Sequence, residues 1–324
     1  MLVTSAGGKV STLKLAGLNV KKFANLDLLA GDANANVLAA NIGVNFWHMP
    51  KTGDGSLEEI IQGLLAREVR LVIPTRDSEL PFWARSASRL QDLGISVAVS
   101  SLEGVEVCLD KIEFSAWGAR ANQPVIPSAL SVRHQDWNPV VAKERFGAGS
   151  NGVSINQSQL SAEEFAKSLD SPIFQPFIQG WEISVDSWFD RDGKLYGFVM
   201  RSRDLVRSGE SQITTTFRHE GLEKLVGSAL QVAGAQLHLR GPIVMQAIVS
   251  NGKIHIIEVN ARIGGASSAS AEVGLDLIGL SILEAMNPLT RFPEFARRNF
   301  EVRQLRSPED RHIRVPNRGL EFEI

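Results

Sequence analysis

The chain has 324 residues, of which 44% are hydrophobic and 22% charged, and its formal net charge is -2. These values exclude a disordered or fibrous chain, and the length favours two or three packed lobes over one small core. The balanced charge without a Lys/Arg-rich block argues against a nucleic-acid partner. The start lacks a signal-peptide pattern and no window reaches the roughly 18 apolar residues of a membrane span, so we expect no membrane partner and a cytoplasmic location.

The first hundred or so residues alternate short strands with helices. Leu2 to Lys9 is predicted as a strand that enters a glycine turn, followed by a helix from Val10 to Leu18. Further predicted helices cover 57–68 and 81–93, and further predicted strands cover 71–74 and 95–99. This order indicates an α/β domain with a doubly wound, largely parallel sheet. The single cysteine, Cys108, ends this part, and core packing is favoured there over a nucleophile.

The second half has the pattern of an α+β structure. A strand at 140–143, a glycine-rich loop and a helix at 161–168, capped by Ser161 with Glu164, indicate a small lobe. Two hairpins are predicted at 182–199 and 241–260, the second turning at Asn251-Gly252. Between them, the polar segment 202–221 is predicted to be a functional loop.

The sharpest chemical signal lies on the last predicted strand. Glu258, Asn260 and Arg262 share one face because side chains alternate along a strand, and Gln246 stands opposite Glu258 across the hairpin. Carboxylate and amide oxygens suit Mg²⁺, and an adjacent arginine neutralises phosphate. The alternative is a solvated face on which Glu258 and Arg262 pair with each other.

Two other segments fit a nucleotide. Lys143 precedes a loop of small residues from Gly147 to Gly152, whose amides can approach phosphate oxygens closely, although such turns are common between strands. The segment from Gln175 to Glu182 suits backbone hydrogen bonds to an adenine edge and a carboxylate on the ribose hydroxyls. An interlobe linker would have the same composition.

Asp110-Lys111, Lys143 with its glycine loop, 175–182, Gly241-Pro242 with Gln246, and Glu258-x-Asn260-x-Arg262 occur in one order along the chain. In that order they resemble the ATP-grasp superfamily, in its carbamoyl-phosphate-synthase-like branch, with a single set of motifs. The resemblance implies a pre-ATP-grasp α/β domain at 1–108, a two-lobed ATP-grasp domain at 109–286 with a lid lobe at about 114–178, and a closing segment at 287–324.

The resemblance also implies residue roles. ATP would be bound by Lys111, Lys143, Gly147, Gly149, Ser150, Gly152, Gln175, Phe177, Ile178 and Glu182. Mg²⁺, with Mn²⁺ as an alternative, would be bound by Gln246, Glu258 and Asn260. Arg262, together with Lys143, would stabilise the transferring phosphoryl group. A homodimer is one assembly that the resemblance suggests.

Substrate residues are expected in three places. Arg201, Arg203, Arg207 and Glu210 lie in the predicted polar loop, where arginines suit a carboxylate, and Gly265 and Ser267 follow the metal strand. The alternatives are a solvated loop and a tight turn. Residues 4–9 and 75–79 follow strand ends that line ligand sites in open α/β sheets, although Asp77 and Ser78 also suit a turn or a helix cap.

The favoured function is an ATP-dependent ligase that activates a small-molecule carboxylate as an acyl phosphate and joins it to an amine, with an amino acid or peptide as a family-level substrate. A catalytically silent ATP-binding regulatory protein is the alternative from another class. A subunit that needs a partner chain is the third.

Overall fold

The structure is a computed structural model that describes residues 1–147, 152–207, 209–287 and 292–306, together with the backbone of 311–315. Three β-sheets organise it. Within these residues, no helix has the length and apolar character needed to cross a membrane.

The first sheet is wholly parallel. Its strands are β1 (Leu2–Val3), β2 (Leu29–Asp32), β3 (Asn45–His48), β4 (Leu71–Ile73) and β5 (Ser96–Val97), in the order β3-β2-β1-β4-β5. Helices α1 (Val10–Val20), α2 (Leu57–Ala66) and α3 (Leu80–Asp92) stand between strands in sequence. Strands β1 and β4 are buried on both faces, which explains their continuous apolar runs. The predicted doubly wound α/β unit is confirmed.

The turn after β4 is fixed by one buried carboxylate. Glu79 accepts hydrogen bonds from the backbone amides of Thr75 and Arg76 at 3.0 and 3.1 Å, and from Trp83 Nε1 at 3.1 Å. Pro81 lies in the first turn of α3, where its missing amide hydrogen costs no helix bond. The turn at 75–79 is therefore rigid, and it faces the seven-stranded sheet.

Helices α4 (Leu102–Leu109) and α5 (Lys111–Arg120) lead to a small antiparallel sheet. This sheet contains β6 (Val140–Glu144), β7 (Val153–Gln157) and β8 (Pro172–Pro176) in the order β7-β6-β8, covered by α6 (Gln159–Ala166). The prediction that Ser161 caps this helix is wrong. The hydroxyl of Ser158 caps it by accepting the amide hydrogen of Ser161 at 3.2 Å, so the helix begins two residues earlier.

The third sheet has seven antiparallel strands. They are β9 (Trp181–Phe189), β10 (Leu195–Arg207), β11 (Glu210–Phe217), β12 (Gly241–Ser250), β13 (Lys253–Asn260), β14 (Glu301–Leu305) and β15 (Arg311–Val315). Their order is β13-β12-β9-β10-β11-β14-β15. Helices α7 (Glu220–Gln236), α8 (Ser268–Glu272) and α9 (Leu277–Met286) accompany the sheet.

Both predicted hairpins are present, but the predicted polar loop is not. At the second hairpin, Asn251 and Gly252 have φ values of 49° and 69°, as a tight turn between twisted strands requires. The segment 202–221 instead completes β10, forms β11 and enters α7. Some of its polar side chains are buried, among them Thr216, whose hydroxyl donates to Glu301 at 2.6 Å. This pairing makes a polar stretch compatible with an interior strand.

The core continues from the first sheet into the third. One apolar cluster joins Leu2 and Trp83 to Val185, Met245 and Ile256, while a second joins β1 and α1 to α9. The small sheet has its own cluster around Val140, Ala142 and Phe174. The small lobe is thus a separately packed unit, whereas the N-terminal sheet and the third sheet form one body.

Candidate functional site

Two cavities meet at the hairpin formed by β12 and β13. The first has a volume of about 370 Å³ and lies between the small sheet and the third sheet. The second has a volume of about 300 Å³ and lies between the third sheet and the loops after β1 and β4. Gln246, Glu258 and Gly209 line both cavities. Ligands bound in the two cavities would therefore lie next to each other beside Glu258.

The first cavity is an apolar slot with a basic end. Its apolar walls are Ile126, Val141, Val153, Ile155, Ile248 and Ile257. Phe177 and Ile178, both predicted as nucleotide residues, lie in the connection that crosses between the two sheets and complete the slot. Gln175 also lines it, with its side-chain amide donating to Ser128 Oγ at 2.8 Å. Such a slot suits a flat base whose polar edge meets backbone groups.

The basic end consists of Lys143 and Lys111. Both line the first cavity and both are more than nine-tenths buried. Lys111 Nζ donates to the carbonyl oxygens of Gly147 and Arg145 at 3.0 and 3.3 Å, which ties its ammonium to the start of the glycine loop. Burial lowers the pKa of Lys143 to about 8, and the positive charge of Lys111 lowers it further. The negative charges of Glu258 and Glu182 act in the opposite direction. The pair forms a desolvated positive end suited to phosphate.

Asp110 connects this end to the helix that carries Lys111. Its carboxylate caps α5 by accepting the amide of Ile112 at 2.9 Å and also accepts Arg145 Nε at 2.7 Å. Burial opposes ionisation of Asp110, but the Arg145 and backbone hydrogen bonds outweigh it and hold the pKa of that carboxyl below its usual value.

The glycine loop is described at its two ends. Gly147 lines the first cavity, as predicted from sequence. Gly152 does not line it; with φ at 65° it turns the chain into β7. The predicted ATP-binding residues Gly149 and Ser150 lie outside the described residues.

Glu182 stands on the floor of the first cavity and pairs with Arg203. The distance from Arg203 Nε to Glu182 Oε1 is 3.0 Å, and Arg203 Nη2 also donates to the carbonyl of Gly209 at 3.0 Å. Burial raises the pKa of Glu182, the charge of Arg203 opposes this, and Glu258 adds to it. Arg203 is thus a link between the two cavities, since it also lines the second.

Gln246, Glu258 and Asn260 form a set of oxygen donors between the cavities. Gln246 and Glu258 are cross-strand neighbours, as predicted, and Asn260 Nδ2 donates to Glu258 Oε1 at 3.0 Å. Within the described residues, no cluster of three His, Cys, Asp or Glu side chains could hold a metal. One carboxylate with two carboxamides is nevertheless a donor set that suits Mg²⁺, because this ion keeps several water or phosphate ligands. To bind it, the Asn260 side-chain amide would rotate so that its oxygen faces the ion.

Arg262 extends this row into the second cavity. Its guanidinium forms a bidentate pair with Asp77, with Nε to Oδ1 at 2.8 Å, and Nη1 donates to the carbonyl of Ile263 at 3.2 Å. Arg262 Nη2 also lies 3.4 Å from Asn260 Oδ1. Asp77 belongs to the turn after β4, so the N-terminal domain fixes the orientation of Arg262. From the sequence, Asp77 was expected either to line a ligand site or to serve as a turn or helix-cap residue. Its pairing with Arg262 was not predicted.

The predicted substrate residues separate into two groups. Arg201, Arg203, Glu210 and Gly265 line the second cavity. Arg207 and Ser267 do not: Arg207 is exposed near the end of β10, and Ser267 is buried. The expectation that the arginines belong to a loop is corrected, because Arg201 and Arg203 lie on strand β10.

Arg201 and Ser267 share a buried anion, Asp186. This carboxylate is fully buried and accepts Arg201 Nε and Nη2 at 2.7 and 2.9 Å, Ser267 Oγ at 2.8 Å, and Ser270 Oγ. Ser267 Oγ in turn accepts the amide hydrogen of Gly264 at 3.1 Å. The network therefore fixes the turn that follows Arg262.

Two basic residues of the second cavity come from the ends of the chain. Lys9 lies at the start of α1, within the 4–9 segment that the sequence associated with a ligand, and Arg306 follows β14 and pairs with Glu210 at 2.6 Å. Arg306 has no motif around it, and the sequence assigned no role to the segment after Met286. Cys108 is buried, and burial raises the pKa of its thiol to about 12, which fits core packing.

The sequence profile of the ATP-grasp domain family matches residues 108–266. The chain is 24% identical over 206 residues to the carbamoyl phosphate synthase large chain of Pyrococcus furiosus. That match covers 57% of this chain but 20% of the relative, so the chain corresponds to a fraction of that protein's length.

Solved structures share the fold over nearly the whole chain. A biotin carboxylase from Campylobacter jejuni superimposes with a TM-score of 0.75 and 17% identity, covering 94% of this chain and 75% of that one. An L-amino acid ligase from Bacillus licheniformis gives a TM-score of 0.72 and 16% identity, with coverages of 94% and 78%. At these identities the likeness concerns the fold, and it confirms the predicted class.

Proposed function

Because residues 108–266 form an ATP-grasp domain, we propose that this chain is an ATP- and Mg²⁺-dependent ligase that joins a small-molecule carboxylate to an amine. One observation carries the proposal: the first cavity, an apolar slot with a basic end, and the second, polar cavity share Gln246 and Glu258 as a common wall. A γ-phosphate next to Lys143 and a carboxylate next to Arg262 would meet at this wall. The relatives and structural neighbours include ligases and carboxylases, which supports the same reaction class.

The reaction has two steps. A carboxylate oxygen in the second cavity attacks the γ-phosphorus of ATP, forming an acyl phosphate and releasing ADP. The amine then attacks the acyl carbon, forming the amide and releasing phosphate. Lys111 and Lys143 would bind the phosphates, and Arg262, oriented by Asp77, would stabilise the charge on the transferring group; both tasks are positioning and electrostatics.

Mg²⁺ would be held by Gln246, Glu258 and Asn260, where it would neutralise phosphate charge. The remaining nucleotide contacts follow the slot. Phe177 and Ile178 would contact the base, and Glu182 would accept hydrogen bonds from the ribose. Its pairing with Arg203 holds that carboxylate in place before the nucleotide binds.

The test is phosphate release from MgATP in the presence of pooled carboxylates and amines, with Glu258→Ala in parallel and the exposed Glu220→Ala as a matched carboxylate control. We expect release that requires both an acid and an amine, that is lost in Glu258→Ala and retained in Glu220→Ala. ATP binding with Mg²⁺ but no release in any pool would refute the ligase proposal for the isolated chain and would favour a nucleotide-binding regulator or an incomplete subunit.

A further inference from the structure

The part of the chain that the structure describes gives the second cavity six basic lining residues, and four of them already have an acidic partner. The pairs are Arg201 with Asp186, Arg203 with Glu182, Arg262 with Asp77, and Arg306 with Glu210. Arg76, the fifth, is exposed at the rim. Lys9 is the sixth. Among the residues that the structure describes, none forms an ion pair or hydrogen bond with its ammonium group.

The backbone holds Lys9 in this position. The loop between β1 and α1 is pinned by Thr75 Oγ1, which donates to the carbonyls of Thr4 and Ser5 at 2.8 and 3.1 Å. The amide of Gly7 donates to Asp32 Oδ2 at 2.9 Å. A Cβ at Gly7 would lie 2.9 Å from the same oxygen, so the loop packs closely against β2. Lys9 therefore enters the cavity from a rigid support.

The surroundings of Lys9 favour an anionic ligand. Burial lowers the pKa of Lys9, and the neighbouring cations Arg262 and Arg306 lower it further, while Glu210 and Asp77 oppose this effect incompletely. A partly buried cation without a partner is unfavourable unless a ligand compensates it. Among the described lining residues, the apolar groups are small, such as Val244 and Ala266, and they form no slot for a large apolar side chain.

The compensating anion is distinct from the group that reacts. The reacting carboxylate belongs at the wall shared with the nucleotide cavity, next to Glu258 and Asn260. Lys9 lines the second cavity alone, whereas Gln246 and Glu258 line both cavities. Lys9 therefore lies outside the wall that the two cavities share.

We infer that Lys9 binds a second anionic group of the acid substrate, so that the substrate class is small dianionic acids, dicarboxylates in the first instance. The assignment of the reacting end rests on the proposed function. The binding of an anion by Lys9 does not, because it follows from the pairing of charges in the cavity. An amide in place of the distal carboxylate would leave Lys9 without a counterion.

The experiment compares matched acids that differ only in the distal group: succinate with succinamate, aspartate with asparagine, and glutamate with glutamine. Equilibrium binding to the full chain is measured by calorimetry in the presence of MgADP, which needs no turnover. The variants are Lys9→Met and Lys9→Arg, with Lys51→Met as the control because Lys51 is an exposed cation of the same domain. Phosphate release is assayed separately.

We expect at least one dianion to bind about tenfold to hundredfold more tightly than its amide partner, the scale of a hydrogen bond to a charged group. Lys9→Met should remove this ratio, Lys9→Arg should keep part of it, and Lys51→Met should match the wild type. Equal binding within every pair, no binding at all, or a ratio that survives in Lys9→Met would overturn the inference. Selective dianion binding without phosphate release would instead refute only the ligase proposal.

Removing Lys9 should leave the fold intact, so that a loss of binding is interpretable. Its ammonium has no partner to lose among the residues described, and we expect the melting temperature of Lys9→Met to equal or exceed that of the wild type. A melting temperature well below the wild type would show that Lys9 has a structural role, which contradicts the inference.

Discussion

Asp186→Ala tests whether the buried ion pair beneath the second cavity is structural. Asp186 is fully buried, and the side chain of Arg201 is only 3% exposed. The substitution removes two charge-assisted hydrogen bonds to Arg201, at 2.7 and 2.9 Å, and the acceptor for Ser267 and Ser270. Breaking a buried pair by removing one partner leaves an uncompensated charge and costs about 3–5 kcal/mol.

That cost converts to a measurable change in melting temperature. With an unfolding entropy of roughly 2.1 cal/mol/K per residue, a chain of 324 residues loses about 1.5 °C for each kcal/mol, so the expected decrease is about 4–7 °C. Differential scanning calorimetry measures it directly. The double variant Asp186→Leu with Arg201→Met removes both charges and should lose less stability than Asp186→Ala alone.

The matched control is the exposed pair of Glu58 and Arg89, whose side chains are 67% and 51% exposed. Glu58→Ala should leave the melting temperature nearly unchanged, because solvent screens such pairs. If Asp186→Ala lost no more stability than Glu58→Ala, the interpretation of Arg201 as a structural residue would be wrong, and Arg201 would return as a candidate for binding substrate.

Three further predictions concern the site and its packing. MgATP affinity should fall as pH rises through about 8, where the ammonium of Lys143 loses its proton; Lys143→Met should weaken binding about tenfold or more and remove this pH dependence, as titration calorimetry at several pH values would show. Asp77→Ala should lower turnover in the phosphate-release assay while leaving ADP affinity within twofold, because Asp77 orients Arg262 and does not line the nucleotide cavity; equal losses in both would contradict this. Gly104→Ala should cost about 1–3 kcal/mol in chemical denaturation, since a Cβ there would lie 1.9 Å from the Leu237 carbonyl oxygen, whereas Gly55→Ala, with open space around it, should cost far less.

The sequence was informative wherever local chemistry decides the structure. Asn251-Gly252 demands a tight turn, and the alternation that follows it placed Glu258 and Asn260 on one face, as the structure shows. Arg262 lies just past the end of β13 and not on the strand, but its guanidinium still contacts Asn260. The parallel N-terminal sheet was likewise predictable, because its short apolar runs alternate with helical periodicity.

The predictions from sequence were wrong where a residue's structure depends on a partner that is distant in the chain. Segment 202–221 has the composition of a loop, and only Glu301, remote in sequence, supplies the acceptor for the Thr216 hydroxyl that suits this residue to a buried strand. The helix cap was misplaced because Ser158 and Ser161 are chemically identical, and only the backbone geometry distinguishes them. Arg306 lines the second cavity because β14 pairs with β11. No local sequence pattern predicts this long-range pairing.

The central claim is that a carboxylate is activated by transfer of the γ-phosphoryl group of ATP. The most direct measurement uses an acid that supports turnover, labelled with ¹⁸O in its reacting carboxylate, and follows the label by mass spectrometry. An acyl phosphate route predicts one ¹⁸O atom in each phosphate released, and ADP as the nucleotide product. Unlabelled phosphate, or label appearing in AMP, would contradict the account.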